Sequence, residues 1–153
     1  MDVKYVTPFI VGFNTVMPQM GFTTVRKGVL QARKKTFMGS GIITIVGMAG
    51  HLKGNVVYVM DNESAKKIAS VMMKGAPIEE LDSMAISALG ELANMLTAHA
   101  ATAFSAMKIL IAISSPACFE GADIEITMGS DKVLCIQVLV DDIPIDVNIA
   151  FEN

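Results

Sequence analysis

From about Pro77 to Met107 the chain reads as one long helix, and that element constrains the rest of the fold more than any other. Leu89, Leu92 and Leu96 recur on one side of it. At about 100° per residue, Ser87, Glu91 and Asn94 fall within about 60° of one another, roughly opposite the leucines. A helix with such a stripe must be laid on an apolar surface that the remaining chain provides. Met84–Met107 is the most apolar stretch of the chain, yet Glu91, Asn94 and His99 interrupt it. No window of about 18 residues is free of polar side chains, so a membrane span is not expected.

The chain has 153 residues, enough for a single domain over residues 1–153 and little more. Apolar residues make up 52% and charged residues 18%, against about 25% charged in an ordinary soluble chain. That excess must be buried internally or against partners. A net charge of −3 and a pI near 5.3 argue against nucleic acid as the main partner. The basic cluster Arg26, Lys27, Arg33, Lys34 and Lys35 has no interleaved aromatics and reads as a solvated edge. Cys118 and Cys135 are widely separated and read as free thiols of a reducing cytoplasm. His51 and His99 have no companion ligands at metal-binding spacing, so no metal site is expected. The opening MDVKYVTPF has neither a basic nor an apolar leader region, and a cytoplasmic protein is expected.

Along the chain, Thr7 reads as the N-cap of a first helix, with Pro8 at its first position and Gly21 at its stop. Strands follow at Thr23–Gln31, Ile42–Met48 and Asn55–Met60, the last two forming a hairpin across Gly50–Gly54. Asp61 or Asn62 caps a helix running to about Lys74, with Ala65, Ile68, Ala69 and Met72 facing inward. After the long helix come Ile109–Ile113, a loop at Ser114–Pro116, and strands at Asp123–Met128, Lys132–Val140 and Ile143–Phe151. In the last, Ile143, Ile145, Val147, Ile149 and Phe151 alternate with Pro144, Asp146 and Asn148, which predicts one buried and one open face. The whole reads as an α+β fold of two α-then-β halves, an antiparallel sheet with two long helices packed on it.

The polar triplet Ser87, Glu91 and Asn94 stands on a background of small residues, Gly90, Ala98 and Ala101, a face suited to docking a partner. Gly90 inside a helix costs about 1 kcal/mol relative to Ala and needs a reason. Close approach of another backbone, or core packing against a crossing helix, would supply one.

Extended to Pro116, these residues read Ser87-x₃-Glu91-x₂-Asn94-x₂₁-Pro116. That spacing matches the signature [Asp/Ser]-x₃-Glu-x₂-Asn-x₂₁-Pro, and the chain resembles the CheC/CheX/FliY chemotaxis phosphatase family. The Gly-punctuated segment Gly39–Met60 is similar to the family's hairpin. On the first helix the same template falls on Thr7, Val11 and Asn14, with Thr36 in place of the proline; the acid is missing. One intact motif rather than two resembles the CheX branch, and Asn14 reads as an ordinary helix residue.

The resemblance implies a phosphatase acting on the aspartyl phosphate of a CheY-type response regulator. It implies no cofactor of its own, since the receiver supplies the acyl phosphate, a Mg²⁺ ion and a lysine. Phosphoryl transfer asks mainly for positioning and charge stabilisation, which a lone carboxamide and carboxylate can complete. Asn94 would orient the attacking water, because a carboxamide is no base at neutral pH. Glu91 would pair with the receiver's lysine. Ser87 and Pro116 carry over as motif positions, one keeping the entry polar and the other shaping the adjacent loop. The resemblance also implies a homodimer by strand exchange. Lys132–Val140 is apolar enough to serve, though a central strand within one subunit reads the same way. A non-catalytic module that grips a receiver or a flagellar-switch component, and a purely structural dimerisation domain, are the rival readings.

Overall fold

The computed structural model describes residues 2–152. Its first helix, α1 (Thr7–Met20), buries Phe9, Phe13, Val16 and Met17 and stops at Gly21, whose φ of 109° suits glycine alone. Thr7 is not the N-cap. It is already helical, because a 3₁₀ turn at Val3–Tyr5, capped by Asp2, runs directly into α1. There follow β1 (Val25–Arg33), β2 (Thr36–Gly50), β3 (Gly54–Met60), α2 (Asn62–Met72), α3 (Ser83–Ala106), β4 (Ile111–Ile113), β5 (Ala117–Thr127), β6 (Val133–Val140) and β7 (Ile143–Phe151). Asp61 caps α2 by accepting the Ser64 N–H at 2.7 Å, and Asp82 caps α3 by accepting the Ala85 N–H at 2.8 Å. The long helix therefore begins at Ser83 and not near Pro77: the side-chain cap at Asp82 fixes its first turn. Met72, expected inward, is only half-buried at the end of α2.

The seven strands pair antiparallel in the order β1-β6-β7-β3-β2-β4, with β5 also on β2. The apolar run at Lys132–Val140 is β6, an interior strand between β1 and β7, so within one chain it is not an edge. The β2–β3 hairpin stands where its glycines place it, but β2 extends six residues further back, to Thr36. Residues 36–39 pair only with β5, forming a two-stranded arm. The arm bends at Gly41, where φ is 107° and any Cβ would lie 2.2 Å from the Met60 carbonyl oxygen.

All three helices lie on one face of the sheet. Leu89, Leu92 and Leu96 pack there with Phe9, Phe13, Val46, Val56, Ile136, Val138 and Val147 in the main core. The arm folds over the opposite face and closes a second, smaller core of Ile43, Val57, Ile126, Met128, Val133 and Ala150. This overturns the expected open face of the last strand: Asn148 is 0% exposed and Asp146 half-buried. Asn148 is satisfied there, accepting from Arg33 Nη1 at 2.8 Å and donating to the Val57 carbonyl at 3.1 Å. Arg33 also stacks on Phe37, so it belongs to this second interior and not to the solvated edge formed by its basic neighbours. The excess of apolar residues thus fills two cores, one on each face.

Candidate functional site

Helix geometry decides where the polar triplet stands. With Leu89, Leu92 and Leu96 pressed into the main core, Ser87 and Glu91 are exposed and Asn94 is half-buried at the rim. Ala98 and Ala101 continue the same face, both half-buried. Among the described residues, Ser87, Glu91 and Asn94 make no side-chain hydrogen bond within the chain, and Glu91 has no ion-pair partner. Two reaching polar groups are therefore held on a rigid element with their bonding capacity unspent.

The two helical glycines have different roles. A Cβ on Gly90 would meet nothing within 4 Å, so no backbone approaches it, although Gly90 itself is buried beside the exposed Glu91. The close approach occurs instead at Gly12 of α1, where a Cβ would lie 2.7 Å from the Leu96 carbonyl oxygen. The sequence carries a weak signal for this, a glycine set among Phe9, Phe13 and Val16 on the apolar side of α1.

Pro116 lies at a strand interruption. β4 and β5 pair with the same side of β2, and between them Val46 and Gly47 face Ser114, Ser115 and Pro116, one residue in excess. Ser114 closes the gap: its N–H donates to the Gly47 carbonyl at 2.9 Å, and its Oγ accepts the Gly47 N–H at 2.8 Å. Pro116, which lacks an N–H, sits half-buried at the end of this bulge. α3 packs on both β4 and β5, the two strands that the Pro116 loop joins. Further along α3 a groove of about 480 Å³ runs between Ala101, Thr102 and the Ala49–Gly50 and Leu110–Ala112 segments. His51 holds its end, accepting the Leu110 N–H on Nδ1 at 3.0 Å. The Thr7, Val11 and Asn14 face of α1 is exposed as well, with an aliphatic side chain in place of an acid.

One carboxylate and one carboxamide do not make a nucleophile–base pair. They can orient a water and anchor a cation, which completes a site whose other groups lie on a second molecule.

Residues 42–139 match the family model described as chemotaxis phosphatase CheX. Over 85 residues, 56% of this chain, the sequence is 33% identical to the CheY-P phosphatase CheX of Thermotoga maritima; the match spans 55% of that protein, about half its length. Among solved structures, the chain is similar to a CheC-like superfamily protein from Shewanella sp. PV-4, with a TM-score of 0.87 at 22% identity over 100% of both chains. It is also similar to the CheX-CheY-BeF3-Mg+2 complex from Borrelia burgdorferi, with a TM-score of 0.82 at 24% identity, covering 99% of this chain and 100% of that one. At such identities the structural likeness is one of fold.

Proposed function

The chain belongs to the chemotaxis phosphatase CheX family, and from that premise we propose that it dephosphorylates the aspartyl phosphate of a CheY-type response regulator. The observation that carries this reading is the presence of Glu91 and Asn94 on one face of α3 with no side-chain hydrogen bond among the described residues. The similar T. maritima protein is named for activity on CheY-P, and the B. burgdorferi structure is a complex with CheY. Asn94 enters the receiver's pocket and orients a water in line with the phosphorus. The water oxygen forms the new bond to phosphorus as the bond to the aspartyl oxygen breaks, releasing inorganic phosphate and restoring the carboxylate. Glu91 pairs with a receiver lysine and sets the register of Asn94. Ser87 keeps the entry polar, the Pro116 bulge shapes the adjacent wall, and Ala98 and Ala101 let the receiver lie close.

The chain brings no cofactor of its own; Mg²⁺ belongs to the receiver. Residues 1–153 act as one domain, which works in the cytoplasm. The protein forms a homodimer by strand exchange, its sheet running across both subunits. Two open edges can serve it: β1, which pairs only with β6 and leaves Val29 67% exposed, and β5, which pairs only with β2 and leaves Phe119 50% exposed.

The test is phosphate loss from a phosphorylated receiver with and without this protein. Asn94→Ala leaves folding intact and lowers the stimulated rate about 10²-fold, the scale of one positioned transition-state contact. Glu91→Ala chiefly raises KM for the receiver. A wild-type rate in Asn94→Ala would overturn the mechanism, and receiver binding without faster phosphate loss would favour the non-catalytic module.

A further inference from the structure

The roll of α3 about its own axis decides where Glu91 and Asn94 point. Leu89, Leu92 and Leu96 hold the helix on the sheet, but apolar attraction is non-directional and resists separation better than rotation. A directional contact lies beneath them. Tyr58, at the middle of β3 and 2% exposed, brings its hydroxyl to 2.8 Å from Thr97 Oγ1. Thr97, 0% exposed, donates its only hydroxyl proton to the Ala93 carbonyl at 2.7 Å. The proton count therefore fixes the direction: the Tyr58 O–H donates to Thr97 Oγ1. Burial pushes the Tyr58 phenol far above its usual value, so this donor is never lost by ionisation in the working range. Among the described residues it is the only side-chain hydrogen bond joining a strand to a helix. It ends on the carbonyl of Ala93, the residue before Asn94, and a threonine bonded back to the i−4 carbonyl also sets the local bend of its helix.

We propose that Tyr58 is a positioning residue for the phosphatase reaction, fixing the roll of α3 through Thr97 and the Ala93 carbonyl and thereby the place of the Asn94 carboxamide. The proposal rests on the reading of Asn94 given above. Side-chain ends lie about 6 Å from a helix axis, so a roll of about 10° sweeps Asn94 by about 1 Å. Misplacement on that scale costs up to about 10²-fold in rate.

The test compares Tyr58→Phe, Thr97→Val, the double variant and Asn94→Ala, measuring kcat and KM on a phosphorylated receiver together with thermal unfolding. Tyr58→Phe leaves the Thr97 bond to Ala93 in place and orphans no donor, so it folds. Thr97→Val strands the buried Tyr58 hydroxyl and loses stability; the double variant removes both partners and regains most of it. The expected result is a kcat lowered about 10-fold in all three, with KM within about twofold of wild type. If the pair served packing alone, kcat would follow stability, falling in Thr97→Val and returning in the double variant; that pattern, or wild-type kcat in Tyr58→Phe, overturns the proposal. Wild-type kcat in Asn94→Ala instead overturns the reading of the site, and this proposal with it.

Discussion

Asp146 shows how a single residue's surroundings follow from the whole sheet. Burial under the arm raises its carboxyl above the usual carboxylate range; the Arg33 guanidinium opposes that shift and the Asp61 carboxylate adds to it. The folded state therefore holds the Asp146 proton more tightly than the unfolded chain does. Its contribution to stability is fully present below the unfolded carboxylate pKa, near pH 4, and is lost as pH rises through the folded value. Asp146→Asn should accordingly stabilise the protein at neutral pH, with the advantage shrinking toward zero near pH 3.5. Urea unfolding of both proteins across that range measures it, and an advantage that does not vary with pH would rule out burial as the cause. Tyr58 and Thr97 belong to the same scale: both are silent in the sequence as polar residues, one inside a strand and one inside a helix, until the fold makes them partners.

Among the elements, α1 and α3 pack on each other, and their glycines should respond to alanine in opposite senses. At Gly12 a Cβ lies 2.7 Å from the Leu96 carbonyl oxygen, a backbone atom that cannot turn aside. Gly12→Ala should destabilise by about 1–3 kcal/mol despite the better helix propensity of alanine, because the helices must separate. At Gly90 a Cβ meets nothing within 4 Å. There the propensity gain of up to about 1 kcal/mol should appear as added stability, while a methyl added beside Glu91 and Asn94 on the docking face weakens receiver docking. Chemical denaturation of both variants with a receiver-binding titration checks the pair, and equal signs in stability would show the helix contact to be misassigned. The β4–β5 bulge works at this scale too, since it turns what would be one edge strand into two, joined through Pro116 and both packed on α3.

At the scale of the whole molecule, the arm of β2 and β5 covers one sheet face and the three helices cover the other, leaving two open edges, β4–β5 and β1, and a substitution on β1 tests whether a second copy adds there. Val29 and Leu30 are exposed on this strand, 67% and 39%. Val29→Lys places a charge on that edge, which natural sheets use to prevent pairing. The variant should run as a monomer by light scattering at concentrations where the wild type is a dimer. A wild-type protein that is monomeric throughout would overturn the proposed homodimer, and a variant that still dimerises would move the interface elsewhere.

The parts of this protein that depend on local geometry were readable from the sequence. A period of about 3.6 residues places Ser87, Glu91 and Asn94 on one face whatever α3 packs against. Gly21, Asp61 and the Gly50–Gly54 turn mark their elements by backbone and capping chemistry within a few residues. What depended on contacts between distant residues was decided only in three dimensions. Asn148 looked exposed because a period of 2 separates two faces without saying what covers the second; Arg33 and Val57, far off in the chain, turn it into an interior residue. Glycine within a helix is compatible with either a close contact or open space, and only the packing of α1 on α3 assigned the first to Gly12 and the second to Gly90. The identities at the site are written in the sequence, whereas its orientation depends on the hydrogen bond from Tyr58 in the sheet to Thr97 on the helix, a contact across 39 residues that no local pattern records.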